Sequence, residues 1–118
     1  MATVAELMEA NLLKVFNERD DERRAKAIAE TYAAGVEFAD PEGFVTGHEA
    51  LNAKARGLLD QSPGFVFSPA GPVLVNHDLG HLAWQLGPEG APPVVRGIDV
   101  ALIKDGVIEK LYTMLLPA

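Results

Sequence analysis

The sequence predicts an α+β domain, and three observations predict it. Helical patterns fill the first half of the chain. Antiparallel strand patterns fill the second half. Between the first strand and the third helix lies a sharp aspartate-proline corner at Asp40–Pro41. Helices gathered ahead of strands pack on one face of a single sheet. At 118 residues the chain makes one domain, spanning 1–118, with a core of its own.

The first helix is expected over Thr3 to Glu18. Thr3 and Glu6 form a capping box, and Val4, Leu7, Met8, Leu12, Val15 and Phe16 recur at helical spacing. Asn17 to Asp21 is a polar break in which an aspartate can cap a second helix. That helix runs from about Glu22 to Ala34, with Gly35 as its stop, and it forms a hairpin with the first. The run ERDDERR at 18–24 reads as a solvated link. Val36 to Ala39 is a short strand. Pro41 forces Asp40 into an extended conformation, so the chain turns there. Thr46 and Glu49 form a second capping box, opening a helix from Gly47 to Asp60 that buries Leu51, Ala55, Leu58 and Leu59.

Strands follow from Phe65. The Pro69–Pro72 stretch marks either a bend in one strand or a gap between two. A turn at Asn76–Gly80 precedes a strand from His81 to Leu86. Val94 to Ile103 and Val107 to Leu116 form the longest hairpin, closed at Lys104-Asp105-Gly106. Its register is open. A two-residue turn places Tyr112 opposite Asp99, and a three-residue loop places Leu111 there with Thr113 beside it.

Composition removes several function classes. The net charge of -7 opposes binding to nucleic acid or to an anionic membrane surface. With no cysteine there are no disulfides, thiolate nucleophiles or cysteine metal sites. No apolar run approaches the roughly 20 residues of a membrane helix, and the N-terminus lacks the basic start of a signal peptide. A cytoplasmic location is the expectation that fits these features. His77 and His81 flank a turn rather than share a helix face, so no metal site is expected and solvated histidines are the default. His48 is expected to be exposed.

The order of elements, with F-x-D-P-x-G-x-x-x-G-x-x-A-L at Phe38–Leu51 and G-x-D-V-x-x-x-x-D-G-x-I at Gly97–Ile108, resembles the NTF2-like superfamily. Its SnoaL-like and ketosteroid-isomerase-like branch looks closest. The resemblance covers nearly the whole chain. It implies a cone (a cystatin-like roll) in which three N-terminal helices pack on a strongly curved sheet. The mouth of the cone would hold a small hydrophobic molecule without any cofactor. Dimerisation through the outer sheet face is implied too.

By the same resemblance Asp40 would be a general base. Asp99 would be a buried acid that donates to the substrate oxygen. The residues speak to both acids directly. Alternation puts Gly97, Asp99, Ala101 and Ile103 on one face, and Ile98, Val100 and Leu102 on the other, so Asp99 sits among apolar neighbours. It either points into the cone, or pairs with Arg96 or caps a loop as a structural ion. Asp40 either reaches the pocket or bonds its own turn. Phe16 stands where the isomerases carry a tyrosine donor, and losing such a donor costs about 3 kcal/mol. Tyr32 and Tyr112 are possible substitutes. The expected pocket wall comprises Phe16, Phe38, Phe44, Leu58, Phe67, Trp84, Leu111, Thr113 and Leu115. Two functions remain open on these residues: cofactor-free proton transfer on a hydrophobic carbonyl compound by an isomerase, cyclase or dehydratase, or non-catalytic ligand binding or dimerisation.

Overall fold

A computed structural model describes residues 1–117. The element order is helix α1 (Val4–Ala10), a π-helical continuation (Asn11–Phe16), α2 (Asp21–Thr31), β1 (Tyr32–Asp40), β2 (Gly43–Thr46), α3 (His48–Asp60), β3 (Phe65–Pro69), β4 (Leu74–Asn76), β5 (Leu79–Pro88), β6 (Val95–Lys104) and β7 (Val107–Leu115). The sheet order is β2-β1-β7-β6-β5-β3, with β4 also on β5. All pairings are antiparallel except β1 with β7. The α+β class and the three-helix cone are both present.

The Thr3–Glu6 capping box forms in both directions, at 3.1 and 2.9 Å. The first helix then widens. The Asn17 amide reaches back five residues to the Leu12 carbonyl at 3.1 Å. Such π turns cluster at functional positions, and this one carries Asn11 and Phe16. Asp20 caps α2 by accepting from the Arg23 amide at 2.9 Å.

Several element boundaries differ from the sequence expectation. Helix α2 stops at Thr31, not Ala34, and Gly35 lies inside strand β1 rather than ending a helix. Pairing decides this: Tyr32 lies beside Ile108 of β7, and the β1 register shifts by a bulge before Glu37. The second capping box is absent. Gly47, at φ 93, is the N-cap of α3 and supplies no side-chain bond. The 18–24 run is not wholly solvated. Arg24 is buried, donating to Asn52 at 2.6 Å and to the Glu18 carbonyl at 2.6 Å, and pairing with Asp21. It fastens α2 to α3. His48 is half-buried, with Nε2 2.9 Å from both the Tyr32 and Ala33 carbonyl oxygens. The Pro69–Pro72 stretch separates two strands, both paired to β5.

The long hairpin takes neither expected register. Asp105 and Gly106 form a two-residue turn, both at positive φ, pairing Lys104 with Val107. A bulge between the Ile103–Ile108 and Leu102–Lys110 pairs then adds one residue to β7. Asp99 therefore faces Thr113. The bulge returns Leu111, Thr113 and Leu115 to the inner face and turns Tyr112 outward.

The core lies between the helices and the concave sheet face, around Met8, Leu12, Ile28, Leu51, Leu82 and Ile108. The cone narrows where β5 and β6 approach the first helix, because Gly80 leaves room only for Met8 and Val4. At the wide end the sheet and α3 diverge and leave a cavity.

Candidate functional site

The cavity holds about 570 Å³, within the range of pockets that take a small organic ligand. Its walls come from the first helix, β1, α3, β3, β5, β6 and β7. Aromatic rings form much of them. Phe16 meets Phe38 with centroids 5.8 Å apart, and Phe67 packs edge-on to Trp84 at 5.2 Å.

Asp99 sits in the wall of this hollow, 4% exposed. Its Oδ1 accepts from Trp84 Nε1 at 3.0 Å and from Thr113 Oγ1 at 2.7 Å. Its Oδ2 accepts from Asn11 Nδ2 at 2.8 Å. Asn11 in turn accepts, through Oδ1, from the buried Tyr32 hydroxyl. Burial pushes the Asp99 carboxyl above its ordinary value, against the pull of the bonds from Thr113, Trp84 and Asn11. Burial also pushes the Tyr32 hydroxyl well above 10, helped by the nearby Asp99 charge. None of these bonds comes from a cationic group, so Asp99 is a desolvated carboxyl held by neutral donors.

Asp40 occupies the rim of the same cavity. Its Oδ1 accepts from the Glu42 and Gly43 amides at 2.9 and 3.1 Å, which is the turn geometry that Asp-Pro favours. Its Oδ2 pairs with Lys54 Nζ at 2.9 Å, and Lys54 also reaches Glu42 at 2.8 Å. Partial burial draws the Lys54 pKa down. The bonds and charges of Glu42 and Asp40 outweigh that and raise it. Asp40 thus combines the turn role and the pocket-facing role.

Of the expected wall, Phe16, Phe38, Leu58, Phe67, Trp84, Thr113 and Leu115 line the cavity. Two do not. Phe44 is 59% exposed on the outer face, because β2 pairs it with outward-facing Ala39. Leu111 packs in the core opposite Ala101, too deep to reach the hollow. Tyr112 is exposed on the convex side, whereas Tyr32 joins the site indirectly through Asn11. Arg96 is exposed and makes no pair with Asp99.

Asn11 and Lys54 escaped the sequence reading. A signal existed for each. Asn11 falls four residues after Leu7 and four before Val15, a polar residue in the apolar stripe. Lys54 lies three after Leu51 and four before Leu58, beside the buried stripe of α3.

Residues 11–111 match the SnoaL-like domain family. The chain belongs to the SnoaL-like family. The solved structures it resembles include a candidate isomerase of this family from Agrobacterium tumefaciens strain C58, at 23% identity and TM-score 0.87, covering 94% of this chain and 95% of that one. A candidate polyketide cyclase from Sinorhizobium meliloti is similar at 17% identity and TM-score 0.72, covering 91% and 92%. A de novo designed protein with a curved β-sheet reaches the same TM-score of 0.72 at 13% identity, covering 99% and 89%. The fold alone therefore carries no activity. No curated protein matches the chain. No helix among the described residues is long and apolar enough to cross a membrane.

Proposed function

We propose that this SnoaL-like domain binds a small hydrophobic carbonyl compound in its cone and moves a proton on it without a cofactor, as an isomerase or cyclase would. The observation that carries this is Asp99, a desolvated carboxyl facing an apolar hollow with no cation beside it. Three of the roughly four acceptor sites of a carboxylate are used, which leaves one for a substrate proton. Its raised pKa brings it toward the range a general base needs. This assigns the proton-accepting role to Asp99, where the family resemblance gave that role to Asp40. Asp40 then holds Lys54 at the rim. Lys54 has a third proton to offer a developing oxyanion, which Phe16 cannot supply.

The test is α-proton exchange of a panel of hydrophobic cyclic ketones in D₂O, followed by ¹H NMR. Wild-type protein should accelerate loss of the α-proton signals over buffer, and Asp99→Asn should lose about 10²-fold or more of that acceleration. Equal rates for wild type and Asp99→Asn would refute the proton-transfer reading. A non-catalytic ligand-binding role is the second reading. It is favoured by Phe16 in place of a donor and by the engagement of Asp40 in its own turn.

The same proposal includes a homodimer through the convex sheet face. One row across it runs Phe44, Ala39, Tyr112, Val100, His81 and Leu74, paired strand to strand. Phe44, Tyr112 and Met114 are 59%, 44% and 50% exposed, an apolar patch of the kind monomers rarely display.

A further inference from the structure

Asp99 is the end of a chain of side chains, and the chain has a direction. Tyr32 is 1% exposed and Asn11 is 0% exposed, so neither exchanges bonds with solvent. Among the described residues, Asn11 Oδ1 is the one acceptor in hydrogen-bond reach of the Tyr32 hydroxyl. A tyrosine hydroxyl can accept as well as donate, but its proton must go somewhere. An unsatisfied buried donor is costly.

An asparagine amide has two faces, an acceptor oxygen and a donor nitrogen. With Oδ1 turned to Tyr32, Nδ2 must face Asp99, and there it lies 2.8 Å from Oδ2. A donor aimed at Oδ2 demands that this oxygen accept, so the carboxylate form is selected. The opposite arrangement would turn Asn11 Oδ1 toward a protonated Asp99 and Nδ2 toward Tyr32. The Tyr32 proton would then have no acceptor. The other oxygen reinforces the same direction, because the indole Nε1 of Trp84 can only donate.

We propose that Tyr32 and Asn11 are positioning residues that fix the hydrogen-bond polarity of the site, locking Asp99 as an acceptor so that a ligand meets it through a hydrogen-bond donor or an acidic C–H. This rests on the reading of Asp99 as the proton acceptor and names the device that sets it. Among the described residues, no second acid or base bonds to Asp99. Its bonded neighbours are Asn11, Trp84 and Thr113, the nearest titratable group behind them is Tyr32, and Asp40, Glu42 and Lys54 stand at the rim of the cavity. The π turn has a role here: it is the segment that carries Asn11, a polar residue buried among Leu7, Met8 and Leu12.

The chain contains one tryptophan, so its indole N–H gives a single, self-assigned ¹H–¹⁵N resonance bonded to Asp99. Its shift against pH reads the ionisation of Asp99. Tyr32→Phe frees Asn11 to turn, and the midpoint should rise by about one pH unit. Asn11→Leu, which removes the donor outright, should raise it at least as far. An unchanged or lowered midpoint in a cooperatively melting Tyr32→Phe protein overturns the proposal. Neutron crystallography of the wild-type protein tests it without any variant. Deuterium on Tyr32 Oη pointing at Asn11, with both amide deuterons on the atom nearest Asp99, is expected. The reversed amide, with a deuteron on Asp99, overturns it. Neither readout depends on turnover, so failure here is separable from failure of the ketone exchange assay.

Discussion

Gly97→Ala is the substitution from which the geometry of the site can be tested most quantitatively. Gly97 lies on β6 directly opposite Trp84 of β5. A Cβ at this position would stand 2.3 Å from Trp84 Cζ2, 2.7 Å from Cη2 and 2.8 Å from the Met114 carbonyl oxygen. The indole would have to retreat by about 0.7 Å to reach even the 3.0 Å limit of real contacts. Phe67, edge-on at 5.2 Å, blocks one direction, and the cavity that Trp84 lines is the open one. Moving it also stretches the 3.0 Å bond from Nε1 to Asp99. Overpacking costs roughly 1–3 kcal/mol and a charge-assisted hydrogen bond about 1.5–3 kcal/mol. Partial relaxation of each leaves about 2–4 kcal/mol, or roughly 10 °C in Tm for a chain of this size. Urea unfolding followed by far-UV circular dichroism measures the loss, and the indole N–H resonance measures the broken bond. Gly35→Ala is the control, because nothing lies within 4 Å of its added Cβ. It should be neutral or slightly stabilising. An unchanged midpoint and an unmoved indole resonance in Gly97→Ala would refute the idea that this glycine seats Trp84 against Asp99.

Arg24→Ala should cost about 3 kcal/mol or more by chemical denaturation, since it strips the buried link between α2 and α3. Arg24→Lys should restore little, because one ammonium cannot reach Asn52, Asp21 and the Glu18 carbonyl together. Alkaline stability should carry the signature of Tyr32. Its folded pKa is raised above 10, so its contribution is full below pH 10 and is lost as pH rises through the folded value. Tyr32→Phe should flatten that limb of the stability profile, and an identical profile would count against a buried hydroxyl. Tyr112→Glu, on the convex row, should convert the proposed dimer to a folded monomer in sedimentation velocity, with the far-UV circular dichroism spectrum unchanged. A wild-type protein that sediments only as a monomer at micromolar concentration removes that surface from the account.

The sequence was most informative where one periodicity governed. The helical stripes of Leu7, Met8, Leu12 and Val15, and of Leu51, Ala55 and Leu59, are buried as spaced. The alternation around Asp99 grouped it with Gly97 and Ala101, and the structure turns that set to the buried, concave side. Boundaries failed where tertiary pairing overruled local signals. Gly35 looked like a helix stop, but parallel pairing of Tyr32 with Ile108 drew residues 32–35 into the sheet. The hairpin register was hidden by a bulge after the turn, which no turn chemistry at Asp105-Gly106 could announce. Phe44 was misplaced because a four-residue edge strand gives too short an alternation to choose a face. The polar part of the site was the least legible. Asn11 meets Asp99, and Tyr32 meets Asn11, across separations of many residues that no local pattern reveals. Arg24 looked solvated because its partners, Asn52 and the Glu18 carbonyl, were not identifiable from a charge run.

The ionisation of Asp99 itself tests the account most directly. With aspartate labelled at the side-chain carboxyl carbon, and the Asp99 resonance identified by its absence in Asp99→Asn, the pH titration can be followed in the intact protein. The account predicts a midpoint above the ordinary 3.8, shared by the Trp84 indole N–H. A midpoint at or below 3.8, or an indole that ignores it, would contradict a desolvated proton acceptor in the wall of the cone.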